Sequence, residues 1–178
     1  MEQDFIRDYL VTAAVFGMFS FSWFGWAQDK PPKSWVLPLG IASALGFIIA
    51  GIGGYLASQN WDAASTLNSD SDYRTFGIVV AVEILSMIIG SVVLRLKRLQ
   101  HFIPTWISFV VAVHFLPLVF IFQDVWFYLL TVLTLGASLL PLRLSKKLNI
   151  SLATLTGVFM GSVILLFAIR GLIQYVLA

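Results

Sequence analysis

The sequence predicts an all-α membrane protein, a polytopic bundle of about six transmembrane helices, from its composition, its apolar runs and its charge distribution. Of its 178 residues, 59% are hydrophobic and only 11% are charged, whereas soluble domains average about 25% charged residues. The mean hydropathy is +0.91. Too few charges are present to cover a water-facing surface, but a lipid-facing surface needs none. We therefore expect the lipid bilayer to be the main partner of the chain.

Six apolar runs are long enough to cross a membrane as helices, each crossing requiring about 20 residues. They lie near residues 9–27, 35–57, 73–96, 102–122, 125–142 and 150–175. The fifth run is the shortest, and we expect Pro141 to close its helix. Because the runs fill almost the whole sequence, we expect a single transmembrane domain over residues 1–178.

Polar stretches separate the apolar runs. Residues 29–33 include two prolines, and residues 58–72 are rich in Ser, Asn and Asp, so both stretches predict loops. Within the second, side-chain oxygens directly precede the third apolar run and predict an N-terminal helix cap, in the order Ser69, Asp70, Ser71 and Asp72. A calcium site is the less favoured alternative, because calcium requires six or more oxygen ligands.

Basic residues concentrate on one predicted side of the membrane. The first, third and fifth connections carry Lys30, Lys33, Arg95, Lys97, Arg98, Arg143, Lys146 and Lys147. The opposite side has Arg7, Arg74 and Arg170, together with the carboxylates Glu2, Asp4, Asp8, Asp62, Asp70, Asp72 and Asp124. The positive-inside rule then predicts that both termini lie outside the cytoplasm. We expect a bacterial-type plasma membrane.

The most informative residue is Glu83, which lies inside the third apolar run. An ionised carboxylate there is costly unless it is paired or faces water. Glu83 lies twelve residues before Arg95, and His114 lies thirteen after His101. At a rise of about 1.5 Å per residue, both side chains lie roughly 18 to 20 Å from the connecting turn. We therefore expect them to share one depth, in the outer half of the membrane.

Three further charged residues are expected near the outer ends of the helices. Asp8 begins the first helix, Asp124 lies in the turn after the fourth, and Arg170 lies late in the sixth. Together with Glu83 and His114 they predict one polar pocket that is open to the outside. Glu83 and His114 are expected to form its floor. The alternative is structural: Glu83 and His114 only bond each other, while Arg170 reaches the headgroups or pairs with Asp8.

Small residues recur at four-residue spacing in two helices. The second helix has Gly46, Ala50 and Gly54, with Gly53 and Ala57 beside them, and the sixth has Gly157 and Gly161. Such faces let helix backbones approach closely. We expect them to pack within one chain, although contacts between copies or with a membrane partner remain an alternative.

Several kinds of chemistry are excluded or disfavoured. The chain has no cysteine, and its two histidines lie about 20 Å apart along one helix, too far to ligate one haem. No zinc-protease or nucleophile-elbow motif occurs, so we expect no enzyme activity, no cofactor and no metal. The net charge of +2 comes from short loop runs and not from a continuous face, so no nucleic-acid partner is expected.

The sequence favours a protein that binds or conducts a small solute or ion from the outer side. In this interpretation Glu83 is a proton-responsive carboxylate and His114 its partner, because ionisable groups at membrane depth usually handle solutes, ions or protons. The first alternative is a non-catalytic subunit or interaction protein in which the polar pair only fixes the fold. A lipid enzyme that uses Glu83 and His114 as acid and base is the least favoured.

Overall fold

The computed structural model describes residues 5–178, which form six α-helices joined by short connections. The helices are α1 (Ile6–Ala27), α2 (Val36–Gln59), α3 (Asp70–Leu96), α4 (Ile103–Phe122), α5 (Trp126–Leu148) and α6 (Leu152–Leu177). Residues 5–178 contain no strand, and all six helices are long and apolar enough to span a membrane. The predicted fold class is therefore confirmed. Glu2 and Asp4, which entered the charge count, lie outside the described residues.

The start of α3 has the predicted cap. The hydroxyl of Ser69 accepts a hydrogen bond from the backbone amide of Asp72 at 3.3 Å. In return, the carboxylate of Asp72 accepts one from the backbone amide of Ser69 at 3.1 Å. This reciprocal capping box satisfies amides that have no partner inside the helix. The prediction of a cap at this position is confirmed.

The end of α5 differs from the prediction. The helix passes through Pro141 and ends at Leu148, where Asn149 adopts a left-handed conformation with φ of 55°. Pro141 is fully buried by its neighbours. A proline removes one intrahelical hydrogen bond, and a membrane helix tolerates this loss when surrounding helices hold it in place. The expectation that Pro141 closes the helix was therefore wrong.

The connections between helices collect at two ends of the bundle. The Arg7 side chain, at the start of α1, donates to the carbonyl of Trp61 at 3.1 Å, after the end of α2. At the opposite end, the hydroxyls of Ser151 and Thr154 donate to the carbonyl of Asp29 at 3.0 and 2.6 Å. We call the end that holds the start of α1 and the end of α6 the terminal end. The opposite end, with most of the basic residues, is the basic end.

Helix α1 lies between α2 and α6, and glycines permit close approach on both sides. A Cβ atom built at Gly17 would lie 2.6 Å from the backbone nitrogen of Ala50, and one at Gly157 would lie 2.5 Å from the carbonyl oxygen of Trp23. Real Cβ atoms do not approach backbone atoms this closely, so the helices would have to separate. The small residues of the sequence analysis that lie at contacts with α1 are Gly46, Ala50, Gly157 and Gly161.

Gly54 does not belong to this packing face. It is exposed, and no described atom lies within 4 Å of a Cβ built there, whereas a Cβ at Gly53 would lie 2.7 Å from the backbone nitrogen of Ala14. A four-residue step advances 400° around a helix of 3.6 residues per turn. Two such steps from Gly46 rotate Gly54 about 80° away from the contact. The face instead continues through Gly53 and Ala57, which are buried.

Helix α3 lies at the periphery of the bundle. Within residues 5–178 it packs against α4 and the short turn before it, and none of its residues is buried. Its start is also joined to α1, because the Tyr73 hydroxyl accepts a hydrogen bond from Arg7 at 3.1 Å. The closest contact places the Trp106 indole of α4 over Gly90, where a Cβ would lie 2.1 Å from the indole nitrogen. That nitrogen donates to the carbonyl of Ser86 at 3.1 Å. Most of the surface of α3 therefore faces the surroundings of the protein.

Candidate functional site

The charged residues singled out in the sequence do not form one pocket. Asp8, Asp124 and Arg170 line a cavity of about 460 Å³ at the terminal end, between α1, the α4–α5 turn and α6. Glu83 and His114 instead line a cavity of about 340 Å³ between α3 and α4. The expectation that Glu83 and His114 form the floor of the pocket that contains Asp8, Asp124 and Arg170 was therefore wrong. We call these spaces the terminal cavity and the groove cavity.

An ion pair forms part of the wall of the terminal cavity. One guanidinium nitrogen of Arg170 donates to the carboxylate of Asp124 at 2.9 Å, and the other approaches the second oxygen at 3.4 Å. The guanidinium carbon also lies 5.0 Å from the ring centre of Trp126, within the range of a cation–π contact. Both charged side chains are about three-quarters buried. Arg170 is thus held by Asp124 and Trp126, and not by Asp8 as the structural alternative expected.

Asp8 contributes a second carboxylate, which is fixed by the α2–α3 connection. Its oxygens accept hydrogen bonds from the hydroxyl of Ser65 at 2.6 Å and from the backbone amide of Thr66 at 2.7 Å. The hydroxyl of Thr66 donates to the same carboxylate. These bonds fix the position of the carboxylate on the cavity wall. With Asp124 and Arg170, the wall then carries two negative charges and one positive charge.

The floor of the terminal cavity is aromatic. The Phe16 ring lies 6.4 Å from Phe127, and Phe127 stacks on Phe122 at 5.6 Å. Phe167 of α6 completes this apolar surface. A ligand in the cavity would therefore contact phenyl rings below and charged groups at the sides.

Gln174 adds an unused acceptor to the same cavity. It lies one helical turn after Arg170 on α6, and its side-chain oxygen is buried with no hydrogen-bond partner among residues 5–178. Buried polar atoms nearly always have a partner, so such an atom is a candidate for contacting a ligand or water. The sequence analysis did not single out Gln174. Its four-residue spacing from Arg170 was the signal that could have identified it.

A wider depression adjoins the terminal cavity. Its volume is about 860 Å³, and it lies over the α2–α3 connection, with Phe5 and Gln123 shared between the two spaces. Arg7 lines it, but this guanidinium already donates to the carbonyls of Trp61 and Leu67 and to the Tyr73 hydroxyl. Arg7 thus holds the connection in place.

The groove cavity contains the Glu83 and His114 side chains. The imidazole Nδ1 lies 3.5 Å from a Glu83 carboxylate oxygen, which is longer than an aligned hydrogen bond. The Glu83 side chain is 14% exposed and that of His114 10%. Nδ1 is buried and makes no hydrogen bond to any of the residues described, although the carbonyl of Val79 also approaches the imidazole. The geometry brings the two groups together but leaves the imidazole incompletely bonded.

The rest of the groove cavity is almost entirely apolar. Trp106, Val110, Val113 and Pro117 contribute to it from α4. Their spacing of four, three and four residues places them along one face of a helix. Trp106 was not singled out in the sequence analysis as part of this site, although this helical spacing from His114 could have revealed it.

The two cavities lack the constellations needed for metal binding. No group of three or more His, Cys, Asp or Glu side chains that could hold a metal ion occurs within residues 5–178. The chemistry available to the terminal cavity is recognition by charge, hydrogen bonds and aromatic contact. Comparison of the chain with protein-family models, curated proteins and solved structures finds no match.

Proposed function

We propose that this integral membrane protein binds a small protonated amine with an apolar body, in the terminal cavity. The observation that carries the proposal is a cavity of about 460 Å³ that enters the bundle above a phenyl floor, with two carboxylates and one guanidinium on its wall. Cavities of this volume and mixed character are typical of small-molecule sites.

The charges of the wall favour a cation. Asp8 and Asp124 against Arg170 leave one net negative charge, and the guanidinium is already occupied by Asp124. The unpartnered oxygen of Gln174 can accept an N–H from an ammonium group. Phenyl rings below favour an apolar body and also attract a cation through their faces. A protonated primary amine satisfies all of these groups at once.

The aromatic floor supports binding in preference to conduction. Beneath the cavity, Phe16 and Phe127 both contact Phe115, which is 3% exposed. On this side the lining of the cavity consists of phenyl rings, those of Phe16, Phe122, Phe127 and Phe167. The proposed function is therefore non-catalytic recognition, and it includes no permeation step.

The proposed orientation follows from the charge distribution. The connections at the basic end carry most of the lysine and arginine residues. The positive-inside rule then places the basic end in the cytoplasm and opens the terminal cavity to the outside. Accessibility of a cysteine introduced at Asp62 to an impermeant thiol reagent in intact cells tests this orientation, since the chain has no cysteine of its own.

The binding proposal is tested by calorimetry on the protein in lipid nanodiscs. The probe is 2-phenylethylamine, and its anionic counterpart is 3-phenylpropionate. We expect the amine to bind and the carboxylate not to bind. Asp124→Asn should weaken binding of the amine about tenfold, which corresponds to a loss of about 1.4 kcal/mol in binding free energy. Asp62→Asn is the matched control, because it removes the same charge from an exposed site at the same end.

Gln174→Leu provides a second variant if Asp124→Asn fails to fold. It removes the unpartnered acceptor without breaking the ion pair of Arg170. Equal binding of the amine and the carboxylate would contradict the proposal. So would equal amine affinity in the folded wild type, Gln174→Leu and Asp62→Asn proteins.

A second candidate function, that of a membrane interaction protein, is favoured by the position of α3. This helix has no buried residue, and within residues 5–178 it packs against α4 alone, apart from the hydrogen bond between Tyr73 and Arg7 at its start. A second helix surface could cover Ile88 and Ile89, which are both more than half exposed. Cross-linking of Ile89→Cys in membranes, with no cross-linking of Leu37→Cys on the exposed face of α2, would support this function. Equal cross-linking at both positions, or none, would contradict it.

A further inference from the structure

The groove cavity lies on the lipid side of the bundle. Its walls come from α3 and α4, and beside the groove α3 packs against no other helix of the described chain. Val82 and Val113, which line it, are 58% and 45% exposed. Glu83 is the fourteenth of the 27 residues of α3, so the cavity lies near the middle of a membrane-spanning helix. Any molecule that enters between these helices comes from the hydrocarbon region.

The polar groups in this cavity are poorly satisfied by the protein. His114 Nδ1 is buried without a hydrogen-bond partner in residues 5–178, although Glu83 is only 3.5 Å away. An unpaired polar atom inside a bilayer is costly, because no water is there to replace the missing partner. If the pair served only to join α3 to α4, a shorter and aligned hydrogen bond would be expected. A third group can therefore lie beside the two side chains, within hydrogen-bond distance of both.

The remaining lining limits what that third group can belong to. Trp106 closes the part of the cavity nearer the basic end, and its indole N–H is already bonded to the carbonyl of Ser86. Trp106 lies eight residues before His114, which corresponds to about 12 Å along α4. Over this length the walls are apolar except for the Ser86 hydroxyl, which is bonded to the carbonyl of Val82 within α3. A ligand would therefore have one polar head near His114 and an apolar body toward Trp106.

We propose that the groove cavity binds a membrane-dissolved amphiphile with a single hydroxyl head and an apolar body. A hydroxyl can both donate and accept a hydrogen bond, so it can contact Nδ1 and the Glu83 carboxyl group in either protonation state. An uncharged head also enters from hydrocarbon at far lower cost than an ion does. This site is separate from the terminal cavity and does not depend on the amine-binding function.

The test is photolabelling in phosphatidylcholine nanodiscs with a diazirine-bearing octanol. The matched probe is a diazirine-bearing octane, which partitions into lipid but has no hydroxyl. We expect the alcohol to label residues around Trp106 and Val110, and unlabelled octanol to protect them. The alkane should label the groove about tenfold less, as expected for the loss of a hydrogen bond of about 1.4 kcal/mol.

Variants distinguish recognition by the polar pair from simple filling of an apolar space. His114→Leu should reduce labelling by the alcohol to the level seen with the alkane. Thr75→Ala is the matched control, since Thr75 lies on α3 outside the groove and its hydroxyl bonds the carbonyl of Ser71 within the same helix. If His114→Leu does not fold, Glu83→Leu tests the other half of the pair.

Two results would overturn this proposal. One is equal, unprotected labelling of the groove by the alcohol and the alkane. The other is unchanged labelling by the alcohol in a folded His114→Leu or Glu83→Leu protein, which would leave the pair with a purely structural role between α3 and α4.

Discussion

Replacing Gly157 with alanine should destabilise the bundle much more than an added methyl group normally does. The new Cβ would lie 2.5 Å from the carbonyl oxygen of Trp23, 2.6 Å from the backbone nitrogen of Ala27 and 2.9 Å from its Cα. Ordinary van der Waals contacts begin near 3.4 Å. All three atoms belong to the α1 backbone, so no side chain can rotate away. Relief requires α1 and α6 to separate over their shared contact.

The magnitude follows from opposing effects on helix propensity and packing. Alanine is better than glycine inside a helix by about 1 kcal/mol. Overpacking of a close contact costs typically about 1 to 3 kcal/mol, and here the contact cannot relax through side chains. Because the contact cannot relax, the cost should lie in the upper part of this range, and we expect a net loss of up to about 2 kcal/mol in the free energy of unfolding. Gly136→Ala on α5 is the matched control, because no described atom lies within 4 Å of a Cβ built at that position.

Reversible unfolding in mixed micelles, titrated with a denaturing detergent and followed by tryptophan fluorescence, measures this difference. Gly136→Ala should be neutral or slightly stabilising, and Gly157→Ala should unfold at a lower detergent fraction. Equal stability of the two variants would refute the close approach of α1 and α6. A loss in both would show that the cost arises from the helix backbone and not from the interface.

Three further predictions use the same unfolding assay. Gly53→Ala should destabilise the protein through its contact with Ala14, whereas its exposed neighbour Gly54→Ala should not; equal effects would contradict the assigned face. Ser69→Ala should cost about 1 kcal/mol by removing the cap of α3, and no loss would show that the cap is dispensable. Phe115→Ala should cost about 3 kcal/mol or more by leaving a core cavity, while the exposed Phe120→Ala on the same helix should cost little; similar losses would contradict this core assignment.

The fold could be predicted from sequence because its main determinants are local. Six apolar runs specify six helices, and the Ser69–Asp72 spacing specifies a cap. Pro141 was misinterpreted because the effect of a proline depends on what surrounds it, and its burial is a tertiary property. Gly54 was misplaced because a four-residue repeat drifts around a helix.

The site was harder to predict because its geometry depends on helix rotation. The rise per residue correctly suggested that Glu83 and His114 approach each other. Whether that pair faces the bundle or its surroundings depends on the rotation of α3 and α4 about their axes. These helices are apolar on every side, so their sequences contain little amphipathic signal to specify that rotation. The sequence therefore predicted one pocket, whereas the structure has two separate cavities.

Phe115 explains why the two cavities remain distinct although they are close together. On one side its ring lies 5.9 Å from the imidazole of His114, and on the other it lies 5.6 Å from Phe16 and 6.3 Å from Phe127. A single layer of aromatic side chains thus divides a charged space at the terminal end from an apolar space that faces lipid. We therefore expect the proposed amine site and the proposed hydroxyl site to be independent, so that a substitution which weakens binding at one leaves the other unchanged.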